Sequence, residues 1–253
     1  MMYLLLIFVM SLFVPLAVLP VMIKRGMQSP YRIVLYAALS SSAAALLVLI
    51  VASASGESVY GQISAAVNEM AGVLADNETM IDVLGMKDMT AGERTDLIVK
   101  LYQETFKALP ASIMTFNAVV AYFEYILLSR TMKNANPGVR LMPKFREFTL
   151  PGGAIWGILI MYMVSWLMTS AEMLSDDLLY VNMDLIFDFV LSLQGISVVF
   201  MLFHMKKLPK AVAVIIIIVL WGTYMGRWML VLLGMFDILL GLKTRIQSGR
   251  SGR

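Results

Sequence analysis

Residues 211–242 read AVAVIIIIVLWGTYMGRWMLVLLGMFDILLGL, and across these 32 positions only Arg227 and Asp237 carry charge. About 20 such residues cross roughly 30 Å of hydrocarbon, so the stretch belongs in lipid. As one helix it would measure about 48 Å, too long for one span and short for two. Gly222 and Gly226 sit in its middle. Two geometries satisfy this: a broken helix or short hairpin, or one long tilted helix.

Five more apolar blocks precede it. The spans fall near 3–23, 31–55, 110–130, 151–173, 179–204 and 211–236. Hydrophobic residues make up 60% of the chain and the mean hydropathy is +0.80, against about 45–50% apolar in soluble domains. The blocks are continuous, whereas barrel strands alternate apolar and polar residues. The fold class is therefore all-α: a polytopic transmembrane helix bundle of about six spans, or about seven if the last stretch is a hairpin. Residues 1–55 carry spans one and two, 56–108 form an extracytoplasmic helical insert, 109–245 carry the remaining spans, and 246–253 read as a disordered polar tail. Pro15 and Pro20 predict a kinked or broken first helix, since membrane helices tolerate proline where neighbours satisfy the freed carbonyls. Residues 1–14 lack the charged start and cleavage site of a signal peptide, so they read as a retained helix.

The polar stretches alternate in sign. Lys24, Arg25 and Arg32 follow the first span. Between Glu57 and Lys107 nine acids face four bases. Arg130, Lys133, Arg140, Lys144 and Arg146 are basic again, Glu172, Asp176 and Asp177 acidic, and Lys206, Lys207 and Lys210 basic. Basic loops stay in the cytoplasm. That places 24–32, 130–148 and 205–210 inside, and 56–108 and 172–178 outside. The bases are spread over membrane flanks, which argues against nucleic acid as a partner and for the lipid bilayer. No Cys is present, so no disulfide or thiolate metal site forms, and no cofactor is called.

Within the insert, Val59, Ile63, Val67, Met70 and Leu74 recur at helical spacing. Thr90 and Glu93 form a capping box, followed by the apolar Leu97, Ile98, Leu101, Tyr102 and Phe106. Two short helices joined through Asp76–Met89 are expected.

Three stretches carry a family resemblance: Arg140-Leu-Met-Pro-Lys-Phe-Arg-Glu-Phe-Thr-Leu-Pro151, Gln194-Gly195, and Leu233-Gly-Met-Phe-Asp-Ile238 followed by Lys243 and Arg245. Together with Pro15 to Pro20 ending in Lys24-Arg-Gly26, they resemble the YybS-like bacterial membrane proteins, domain-of-unknown-function family 2232, over most of the chain except 56–108. The chain departs from that pattern in its short first apolar block and in Arg25, where the family has His. The resemblance implies a multi-pass protein of the bacterial cytoplasmic (inner) membrane. It also implies distant similarity to the S-components of energy-coupling factor transporters, and with it an energising or other membrane subunit as partner. Such subunits dock on small-residue faces, and Ala37–Ala45 is one.

Ionisable residues at bilayer depth cost about 2.5–3.5 kcal/mol each and need a partner or water. Asp177, Asp184, Asp188 and Gly195 share one helix face, with Arg227 the expected counter-ion. Asn117 and Glu124 share a face of the third span. One reading is a polar cavity between spans three, five and six, lined by Asn117, Glu124, Asp184, Asp188, Gln194 and Arg227, for a cationic or polar solute or for protons. The other is a helix-registering Asp188–Arg227 pair with interfacial Asp184 and Glu124. Asp237 reads as a helix cap or a partner of Lys243, and His204 as a membrane-flank residue. Gly153/Gly157 and Gly222/Gly226 are small-residue pairs that favour close helix packing. There is no HExxH, no GxSxG and no phosphate loop. The chain is therefore expected to be a non-enzymatic, transport-type or solute-binding protein, with a non-transport scaffold as the alternative.

Overall fold

The computed structural model describes residues 2–26, 29–54, 59–151, 153–171 and 177–251. Glu172 and Asp176, and the span ends near them, lie outside these residues, as does Glu57. All regular structure among the described residues is helical. The chain order is α1 (Met2–Arg25), α2 (Pro30–Ala54), α3 (Val59–Ala75), α4 (Glu78–Val83), α5 (Ala91–Lys107), α6 (Leu109–Ala135), a single 3-10 turn (Phe145–Glu147), α7 (Ala154–Ser170), α8 (Leu178–Met205), α9 (Lys210–Gly222), α10 (Tyr224–Leu240) and α11 (Leu242–Ser251). Helices α1, α2, α6 and α8 are long and apolar enough to cross a membrane, and the bent pair α9–α10 makes a fifth span if counted as one. At 17 residues α7 is shorter, about 25 Å of helix.

The helices form two compact units, Met1–Arg140 and Leu141–Arg253. In the first, α1, α2 and α6 pack on one another. Of the two expected forms, kinked or broken, a break is absent: α1 runs as one helix through Pro15 and Pro20, and Pro15 is fully buried. The face of α2 that meets its neighbours is small: Ala37, Ser41 and Ala45 have no exposed surface. Short side chains let helix backbones approach closely in lipid. The chain itself therefore covers Ala37, Ser41 and Ala45 of the stretch that was read as a docking surface, while Leu39 and Ala43 stay exposed.

The insert folds as a helical hairpin in which α3 and α5 pack together, with α4 in the connection. Its core is Ala71, Ala75, Met86 and Ile98. Met70 and Leu101, expected on the apolar stripes, are exposed. Both halves of the capping box form: the Thr90 side chain accepts from the Glu93 amide, and Glu93 accepts from the Thr90 amide at 2.7 Å. That backbone hydrogen bond holds the Glu93 carboxyl below its ordinary pKa.

In the second unit α10 lies against α8. The contact is set by two glycines on opposite helices. A Cβ on Gly195 would sit 2.0 Å from the Leu230 carbonyl oxygen, and one on Gly234 would sit 2.0 Å from that of Leu191. These are backbone atoms, so no side-chain movement relieves the clash. The pairs singled out by spacing behave differently. Nothing lies within 4 Å of a Cβ on Gly153, Gly157 or Gly222, and Gly226 is crowded by its own chain at Leu220 and Thr223. The α9–α10 stretch is broken at Thr223 with a bend of 111°, which excludes one long tilted helix. α11 carries helix from Leu242 to Ser251.

Overpacking at a tight crossing costs about 1–3 kcal/mol or more. Gly234→Ala is expected to fall at or above that range in detergent-solubilised protein. Gly157→Ala, with open space around it, should gain up to about 1 kcal/mol from helix propensity. Thermal unfolding of the two variants side by side checks the contrast.

Candidate functional site

Among the described residues, a set of buried polar groups gathers where α8, α10 and the 143–151 loop meet. α10 ends at Gly241, whose left-handed backbone (φ 60°) closes the helix and returns the chain toward it. The turn brings Lys243 back onto Asp237, one helical turn inside the end of α10. The Lys243 amide donates to Asp237 Oδ1 at 2.8 Å, and its ammonium lies 3.3 Å from Oδ2. Both side chains are buried, 8% and 2% exposed. The Gln194 amide of α8 donates to the same Oδ2, and its carbonyl accepts from the Leu150 amide at 3.0 Å. Ser197, one turn on, donates to the Phe145 and Phe148 carbonyls and accepts from Lys243 Nζ at 2.9 Å. The ammonium also donates to the Phe148 carbonyl.

Each Asp237 oxygen thus has a donor, and Lys243 Nζ has three acceptors. A buried ion pair is tolerable only with such satisfaction, because its desolvation otherwise exceeds the Coulomb gain. The network ties the loop to the helices: Phe145 stacks on Phe148 at 5.7 Å and meets Phe200 edge-on at 6.0 Å. The Asp237–Lys243 alternative read from sequence is the arrangement present.

The six residues assigned to one cavity divide between the two units. Asn117 and Glu124 belong to the first unit, and the other four to the second. Asn117 has no exposed surface; its amide donates to Ser42 at 3.1 Å, while its oxygen has no hydrogen-bond partner. Glu124 Oε2 is likewise buried and unpartnered. A buried polar atom left unpaired costs about 1–3 kcal/mol.

Within the second unit the four residues make three separate arrangements. Asp184 accepts from the Tyr162 hydroxyl rather than pairing with Arg227. Tyr162 in turn packs against Phe187 and Tyr180. Asp188 pairs with Arg227, Nε to Oδ2 at 3.8 Å, but the side chains are 32% and 43% exposed. This pair is looser and more open than the buried one expected. Gln194 joins the Asp237–Lys243 network instead.

Sequence reading missed Ser197 and Tyr162, and held Lys243 only as one of two options for Asp237. Ser197 had a usable signal, since it lies one helical turn from Gln194 and on the same side. Tyr162 stands among many aromatic residues of an apolar helix, and its spacing carries no signal.

Lys243→Met removes the counter-charge and leaves Asp237 buried, which should cost about 3–5 kcal/mol. The double variant Asp237→Asn/Lys243→Met should regain much of that loss. A thermal-unfolding series checks this, and equal stability of the wild type and the single variant would refute the pairing argument.

The DUF2232 family, described as a predicted membrane protein, matches residues 1–238. That range includes residues 56–108, which the resemblance read from sequence had left out. The chain is also similar to the uncharacterized protein YybS of Bacillus subtilis (strain 168), 24% identical over 139 residues. The alignment covers 54% of this chain and 44% of the relative, so the chain spans less than half the length of the curated relative it matches. No solved structure matches. A match over residues 1–238 with apolar helices of spanning length places the chain in this family: it belongs to the DUF2232 family of predicted membrane proteins.

Proposed function

We propose that the chain is a solute-binding, transport-type protein of the bacterial cytoplasmic membrane. The observation that carries this reading is the break between α9 and α10. Residues 221–225 are exposed around an interrupted helix, and Arg227 follows in the next turn, paired loosely with Asp188. Non-helical backbone at membrane depth is tolerated where it is covered by protein or faces water. Discontinuous helices of this kind serve transporters as binding elements. At 3.8 Å, with a single Arg nitrogen facing one carboxylate oxygen, the pair leaves Asp188 room to accept a donor from a small polar or cationic solute. The reading assigns no catalytic step to the chain. With no phosphate-loop motif in the sequence, energy for transport would come from a separate subunit, in keeping with the S-component resemblance.

The chain lacks Cys, so single cysteines report water access directly. Thr223→Cys and Asp188→Cys should react with a membrane-impermeant thiol reagent in native membranes. Ile218→Cys, on the apolar α9 surface, should not. Equal reactivity at all three positions, or none at 223 and 188, would sink the wet-cleft reading.

A scaffold role is favoured by a different feature. The α3–α5 hairpin has its own core yet exposes Met70, Val73 and Val83, apolar side chains suited to a protein contact. On that reading, deleting 60–106 abolishes co-purification of partner proteins while membrane insertion persists. On the transport reading, the thiol pattern above is unchanged by the deletion.

A further inference from the structure

The 143–151 loop and the α8–α9 connection enclose a half-open pocket of about 480 Å³. Its walls are of two kinds. Lys144, Arg146 and Lys210 supply three permanent positive charges, with His204 beside them. Phe200, Phe203 and Leu208 supply an apolar floor. The volume falls within the range of small-ligand sites, about 300–1,000 Å³. We propose that this pocket binds the headgroup of an anionic phospholipid.

Charge is the first reason. Arg146 shares its charge with Glu147 across 3.8 Å. Among the described residues no carboxylate pairs with Lys144 or Lys210, so the pocket carries net positive charge. α9 also starts here: Pro209 is its N-cap and no side chain caps it. The first amides of a helix are open donors at the positive end of its dipole, and they favour a phosphate. Lysine ammonium groups recognise phosphate as point charges.

Apolar continuity is the second reason, and it selects an amphiphile over a free anion. Past Lys210, α9 presents Val212, Ile215, Ile218 and Val219 outward. Acyl chains anchored by a headgroup at Lys210 would lie along that surface. The stretches 130–148 and 205–210 also carry the basic sign of cytoplasmic loops, which puts the pocket at headgroup level of the anionic leaflet. Basic pockets of this kind on the cytoplasmic side bind acidic headgroups.

Rigidity is the third reason. The 3-10 turn that carries Phe145 and Arg146 is held by Ser197 through the Phe145 and Phe148 carbonyls. Lys144 and Arg146 are therefore placed before any ligand arrives, which lowers the ordering cost of binding.

The test uses the full chain purified in a neutral detergent and titrated with phosphatidylglycerol, phosphatidylcholine or glycerol phosphate, with bound lipid read by native mass spectrometry. Phosphatidylglycerol should bind saturably, and phosphatidylcholine and glycerol phosphate should not. Lys144→Gln/Lys210→Gln should weaken phosphatidylglycerol binding about tenfold or more, at roughly 1 kcal/mol per lysine. Lys133→Gln, an exposed base in the other unit, should leave it unchanged. Lys210→Glu repeats the test with a single substitution at a helix start that favours acidic residues. Three outcomes overturn the proposal: equal binding of phosphatidylcholine, glycerol phosphate binding as tightly as the lipid, or full affinity in both Lys210 variants. The second outcome would mean a site for free phosphate.

Discussion

The second unit depends on one buried charge, the carboxylate of Asp237. In an apolar helix that charge has to be neutralised and its lone pairs filled. The chain meets the requirement by ending α10 four residues later at Gly241, turning left-handed, and inserting Lys243 from behind. Two further demands follow. Lys243 needs acceptors, which come from the 143–151 loop and Ser197. The remaining capacity of Asp237 needs a donor, which comes from Gln194. The loop is thus positioned by the needs of a buried ion pair, and Lys144 and Arg146 take their places as a consequence.

Such a network closes only if α8 and α10 approach to backbone distance. Gly195 and Gly234 provide that approach, each lying against the other helix's carbonyl. Gly195 directly follows Gln194, and Gly234 lies one turn before Asp237. Close packing and polar pairing are therefore set by neighbouring residues on the same two helices. Ile196, Val199 and Leu230 fill the space beside them. In lipid, where apolar contact alone gives little drive for association, tight packing and polar bonds together hold helices to each other.

The apolar blocks and the Thr90–Glu93 cap were legible because each depends on residues close in sequence. The same holds for Asp237 and Lys243, six positions apart. Helix facing put Gln194 on the polar side of α8 but did not name its partners, Leu150 and Asp237, because facing fixes a side and not a neighbour. The spacing of Gly153/Gly157 suggested close packing, while the working contact joins Gly195 to Gly234 across two helices. No period within one segment encodes that. Pro15 and Pro20 left two forms open, a kink or a break, for a related reason. The local rule does not choose between them, and α1 continues as one helix through both, its Pro15 buried. The three stretches behind the family resemblance looked unrelated in sequence. In the fold they supply the loop, the amide and the ion pair of one network.

The two charges of α10 face opposite physical situations. Asp237 is sealed, and nothing polar enters without displacing a bonded partner. Arg227, ten residues earlier and about 15 Å away along the axis, has an open side chain beside an interrupted helix. A sealed pair contributes register and rigidity, and its loss is felt as stability. An open pair at 3.8 Å contributes little to stability, since partly exposed ion pairs are worth about 0–1 kcal/mol. A charge kept in an apolar segment with so small a structural return is best explained by what it meets from outside. The α9–α10 break is thus the better place to seek function, and the Asp237–Lys243 network fixes the opposite, C-terminal end of α10.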